Sequence, residues 1–63
     1  MSLTQQALWI IDRNLGGELT LGSIAQACGV SRFHMAHAFG QGAGTTVMDY
    51  VRARRLSEAA ARL

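Results

Sequence analysis

Apolar positions along the chain fall at helical spacing in four runs, separated by glycines and by residues that cap helices. Ala7, Leu8, Ile11 and Leu15 share one helix face, with Gln5, Asp12 and Arg13 off it. This predicts a first helix from about Leu3 to Asn14, stopped at Gly16-Gly17. Trp9 and Ile10 widen its apolar arc, with Trp9 at the edge. Thr20 opens a second run, Leu21, Ile24, Ala25 and Cys28, and Leu19 and Ile24 are spaced as a hydrophobic staple across the cap. Ser23 stands where an acid would complete the capping box, so that box is expected to be half made. Gly29 ends the second helix, a position suited to the left-handed conformation.

Ser31 opens a third helix, with Val30 and Met35 again at staple spacing and Met35, Ala38 and Phe39 on an inward face. It is expected to run to about Phe39, before Gly40, Gly42 and Gly44 break it. Thr46 followed by Asp49 is the best capping box in the chain and opens a fourth helix, which meets no breaker up to Leu63. Tyr50, Val51, Leu56, Ala59, Ala60 and Leu63 are expected along one side of it. Arg52, Arg54, Arg55, Glu58 and Arg62 fall mostly elsewhere. The fold class is therefore all-α. Two caps eleven residues apart with a glycine between them leave room for one tight turn, which makes the Leu19–Gly40 stretch a helix-turn-helix. Proteins use such a pair to lay its second helix in the DNA major groove.

Length and composition narrow this further. Sixty-three residues make one small domain, which buries only about 60% of its unfolded surface. Hydrophobic residues are 49% of the chain, but ten are alanines, which favour helix more than they fill a core. No run nears the roughly 20 apolar residues of a membrane span, so no membrane partner is expected. No secretory signal is visible, and Met1-Ser2-Leu3 carries no weight in the reading. The single Cys28 has no partner for a disulfide, which fits a cytoplasmic protein, and it reads as a small apolar residue at a helix end. Residues 1–30 set Arg13 against Asp12 and Glu18, a net of −1. Residues 31–63 set five arginines against Asp49 and Glu58, a net of +3. Every basic residue is arginine, whose planar fork suits phosphate and guanine.

On the helix after the turn, Arg32, Phe33, Ala36, His37 and Gly40 lie off the inward face. Arg32 and His37 offer donors, Phe33 offers apolar contact for a thymine methyl, and the helix N-terminus favours a phosphate. The plainer reading of this face is a solvated surface with one exposed aromatic. Arg52, Arg54 and Arg55 form the densest basic cluster, suited to phosphates, unless Arg55 pairs instead with Asp49 or Glu58. His34, His37 and Cys28 lack the further ligand that a metal site needs, so no metal or other cofactor is expected. There is no acid pair, activated nucleophile or phosphate-cradling loop, so no enzyme activity is expected.

The residues Leu19-Thr20-Leu21, Ile24-Ala25, Gly29-Val30-Ser31, His34, Phe39, Gly44, Tyr50 and Arg55-Leu56 together resemble the DNA-binding domain of the AraC/XylS family of bacterial transcription regulators. The resemblance spans about Ala7 to Leu63. It implies a homeodomain-like domain of two helix-turn-helix units joined by a long helix, with double-stranded promoter DNA and RNA polymerase as partners. On that analogy residues 1–45 are a three-helix unit whose recognition helix is Ser31 to Gly40, and residues 46–63 are the linker helix. The second unit is absent from this chain. The DNA-binding set carried over is Ser31, Arg32, Phe33, Ala36 and His37, with Arg52 on the backbone. Ala36 and His37 stand where members often carry longer polar or basic side chains, and Gly40 replaces a common basic residue, which implies a weak and less discriminating grip. The competing reading is a helical protein-interaction module that forms a homodimer through the apolar side of the last helix.

Overall fold

The computed structural model describes residues 2–61 and contains four helices. They are α1 (Leu3–Arg13), α2 (Leu21–Ala27), α3 (Arg32–Ala43) and α4 (Val47–Ala61). Arg62, Leu63 and the side chain of Ala60, all assigned to faces of the last helix above, lie outside the described residues.

Local hydrogen bonding accounts for the helix starts. Ser2 caps α1 in a full capping box with Gln5, each backbone N–H donating to the other's side chain at 3.1 Å. The Thr20 box is also complete, against expectation. Ser23 N–H donates to Thr20 Oγ1 at 3.0 Å, and Thr20 N–H donates to Ser23 Oγ at 3.0 Å. A serine hydroxyl has lone pairs to accept this return bond, as a glutamate would. At α4 the backbone half is made, with Asp49 N–H donating to Thr46 Oγ1 at 3.1 Å. The Asp49 carboxylate turns instead to Arg52, 3.3 Å away.

α2 ends in a Schellman turn: Gly29 N–H donates to the Gln26 carbonyl and Val30 N–H to the Ala25 carbonyl, both at 3.0 Å. Gly29 takes φ +74°, a conformation that suits glycine.

The expected end of α3 at Phe39 is corrected by one helical turn. The helix passes through Gly40 and Gly42 and closes at Gly44, which is left-handed. The last turn is held from α1, because Thr4 Oγ1 donates to the Ala38 carbonyl at 3.2 Å and the Thr4 side chain packs onto Gly42. Tertiary contact here outweighs the helix-breaking tendency of glycine, roughly 1 kcal/mol per residue.

The core gathers Ala7 and Ile11 of α1, Leu19, Ile24 and Ala25 around α2, Met35 and Phe39 of α3, and Val47 and Val51 of α4. Phe39 meets the half-buried Tyr50 edge to face, with ring centroids 5.8 Å apart. The expected apolar side of α4 is also corrected. Val47 and Val51 are buried with Tyr50 and Arg54 half-buried beside them, whereas Leu56 is 67% exposed and Ala59 is exposed. Leu56 stands about 140° around the helix from Val51, so the two never shared a face. Two polar ties fix α4 to the rest: Arg54 Nε donates to Asp12 of α1 at 3.1 Å, and Arg55 Nη2 donates to the Gly17 carbonyl at 2.7 Å.

Candidate nucleic-acid interface

The turn at Cys28–Val30 sets α3 across α2, and the burial of Met35 and Phe39 decides which face of α3 turns outward. That outward face carries Phe33, Ala36, His37, Gly40 and Gln41, all exposed. Ser31 caps the helix, its hydroxyl accepting from the His34 N–H at 3.0 Å. His34 thus takes part in the turn through its backbone. Arg32 sits to one side, its aliphatic stem packed over Gly22, where an added Cβ would meet Arg32 Cδ at 3.4 Å. Its stem thus leans on α2 rather than along the outward face. Phe33 is 84% exposed, the most exposed large apolar side chain among the described residues. Five of the six expected DNA-contacting residues (Ser31, Arg32, Phe33, Ala36 and His37) thus lie at the cap and in the first two turns of one helix, open to solvent.

The expected arginine cluster does not act as one patch. Arg54 is committed to Asp12 at 3.1 Å and Glu58 at 3.7 Å, and Arg55 to the loop carbonyl of Gly17. The anticipated pairing of Arg55 with Asp49 or Glu58 gives way to Arg52–Asp49 and Arg54–Glu58. Arg52, the sixth expected site residue, stands on α4 with its side chain 72% exposed, so its ion pair is a solvated one of small energy. Among the arginines of α4 it is the one readiest to be redirected to a phosphate.

The sequence pattern gives Gln41 no role, because the glycines on either side of it predict a loop there. The continued helix brings it onto the outward face, four residues beyond His37 and eight beyond Phe33. That i, i+4, i+8 row was the available signal.

Other surface features have different chemistry. Trp9 is 56% exposed with the Arg13 guanidinium stacked 4.6 Å from its ring centroid. It opens onto a shallow groove of about 330 Å³ with Gln6, Ile10 and Ala27. Larger clefts of about 400 and 620 Å³ flank Arg55, between the end of α1, the following loop and α4. Among the described residues no three His, Cys, Asp or Glu side chains group where they would hold a metal ion. No helix among them is long and apolar enough to cross a membrane. Cys28 is half-buried against the core and burial pushes its thiol up, so it packs as a neutral side chain. Burial, followed by the neighbouring Asp12 carboxylate, likewise pushes the Tyr50 phenol up.

Comparison with known proteins points to the same helix-turn-helix class. The sequence profile of the bacterial regulatory helix-turn-helix proteins of the AraC family matches residues 11–52, from the last turn of α1 into α4. The HTH-type transcriptional activator AarP of Providencia stuartii is 36% identical over 62 residues, covering 98% of this chain and 46% of that protein. The transposon Tn10 TetD protein of Escherichia coli is 38% identical over 56 residues, covering 89% of this chain and 40% of that protein. The chain thus spans less than half the length of these two relatives. No solved structure matches.

Proposed function

The chain belongs to the AraC family of bacterial helix-turn-helix regulators, and we propose that it binds double-stranded promoter DNA with α3 in the major groove. The observation that carries this reading is the outward face of α3, where Phe33 and His37 stand free of any structural duty behind a capped helix start. Phe33 and His37 reach base edges, and Ala36 leaves room for close approach. Arg32, together with the backbone at the Ser31 cap, meets the sugar-phosphate chain, and Arg52 neutralises a further phosphate. Residues 1–45 act as one three-helix reading unit and residues 46–63 as the helix that links it to a second. In the whole protein this unit positions the regulator at a promoter in the cytoplasm, where it recruits or blocks RNA polymerase.

A single reading helix with few positive charges binds weakly, and its affinity falls with salt in proportion to the few phosphates it neutralises. Fluorescence anisotropy on a labelled duplex, across 20 to 200 mM salt as an order-of-magnitude range, tests this. The expected result is a linear fall of log affinity with log salt, and sub-micromolar sequence-selective binding by this chain alone at physiological salt would refute the expected weakness. No duplex binding at any salt would refute the DNA-binding reading itself.

A second reading rests on Leu56, 67% exposed on the outer side of α4. There the last helix offers an apolar contact to a partner helix, a second copy of this chain included.

A further inference from the structure

Phe33, His37 and Gln41 follow one another at four-residue intervals and form a single ridge on the outside of α3. At about 1.5 Å of rise per residue, Phe33 and Gln41 are about 12 Å apart along the helix. That equals three to four base-pair steps of about 3.4 Å. Between them the face is low, since Ala36 is small and Gly40 has open space where a Cβ would stand.

The chemistry of the ridge is selective. An exposed phenyl ring contacts the thymine methyl group, the one apolar feature among the major-groove base edges. A glutamine amide carries a donor and an acceptor side by side and matches adenine N6 and N7. The strongest partner of guanine, an arginine fork, is missing from the ridge because Arg32 leans aside over Gly22. Nothing inside the protein uses Phe33 at 84% exposure, and the side chain of Gln41 makes no hydrogen bond among the described residues.

Building on the DNA-binding reading above, we infer that this unit selects a half-site with a thymine facing Phe33 and an adenine facing Gln41, three to four base pairs apart, with His37 over the base pairs between. Gln41 is then a specificity-determining residue, and the reading unit prefers A·T pairs at both ends of its contact.

Selection of the chain against a random duplex pool at low ionic strength, followed by anisotropy on the recovered duplex, tests this. Enrichment of thymine and adenine at that spacing is expected. Replacing the thymine with deoxyuridine removes only the methyl group. It should weaken the wild-type chain several-fold and leave Phe33→Ala unaffected. Replacing the adenine with 7-deazaadenine removes one acceptor. It should weaken the wild-type chain about tenfold, and leave Gln41→Ala unaffected. Both side chains are exposed, so unchanged helical circular dichroism in the variants is expected and checks the fold. Enrichment of G·C pairs at the two positions, or equal losses in wild type and variants, would overturn the inference. So would salt-dependent binding with no base preference, which leaves the DNA-binding reading standing. Absence of binding to every duplex overturns both.

Discussion

Gly42→Ala and Gly40→Ala exchange the same residue two positions apart in one helix and should move stability in opposite directions. Alanine is favoured over glycine in a helix by about 0.5–1 kcal/mol. At Gly40 nothing lies within 4 Å of the new methyl group, so that gain stands alone and stabilises the protein by about 0.5–1 kcal/mol. At Gly42 the new methyl group overlaps Thr4 Oγ1 and comes within 3.0 Å of Thr4 Cβ and 3.1 Å of Thr4 Cγ2. Rotating the Thr4 hydroxyl away gives no full relief, because Cβ cannot rotate and the bond to the Ala38 carbonyl would be lost. That bond contributes about 0.5–1.5 kcal/mol. Forcing α1 and α3 apart costs about 1–3 kcal/mol, as other overpacked contacts do. The net for Gly42→Ala is a loss of about 1–3 kcal/mol. In a chain of this size 1 kcal/mol moves Tm by roughly 4–8 °C. Thermal melts followed by circular dichroism should therefore show Gly40→Ala a few degrees above the wild type and Gly42→Ala clearly below it. Equal stabilisation by both exchanges would refute the claim that Thr4 seats the last turn of α3.

Three further outcomes follow from the same contacts. Arg52→Ala should leave Tm within about 1 kcal/mol equivalent, since its pair with Asp49 is solvated, yet reduce the salt slope of duplex binding by about one. An unchanged slope would remove Arg52 from the phosphate contacts. The Tyr50 phenol is held above its ordinary value of 10.0, so the folded chain keeps a proton that the unfolded chain releases. The stability that this proton contributes is full below pH 10 and lost as pH rises through the folded value, with Cys28 adding a similar loss from about pH 9. Urea melts of Tyr50→Phe in a Cys28→Ala background should show a smaller alkaline loss than the Cys28→Ala parent, and an equal loss would contradict this. Leu56→Ser should leave folding intact because the side chain is mostly exposed. In sedimentation, a concentration-dependent dimer of the wild type that Leu56→Ser abolishes would support association through α4, and a wild-type monomer at all concentrations would dismiss it.

The sequence by itself determined the features that depend on neighbours a few residues apart. Thr20, Ser31 and Thr46 accept bonds from amides three residues on, and Gly29 supplies the one left-handed residue the turn requires. Met35 and Phe39 are four apart and large, so their shared inward face, and with it the outward position of Phe33 and His37, was readable from spacing alone. Only the tertiary structure decided what depends on residues distant in the chain. α3 keeps its last turn because Thr4, more than thirty residues earlier, holds Ala38 and packs on Gly42, and that turn carries Gln41 to the reading face. On α4 the spacing alone sets Leu56 about 140° from Val51, but alanines make the Leu56 side nearly as apolar, so periodicity could not say which of the two sides turns inward. Contacts with Phe39 and Asp12 chose the side of Val47, Tyr50, Val51 and Arg54 and left Leu56 outside. The same contacts sorted three arginines of equal charge into two structural ties and one solvated side chain, Arg52.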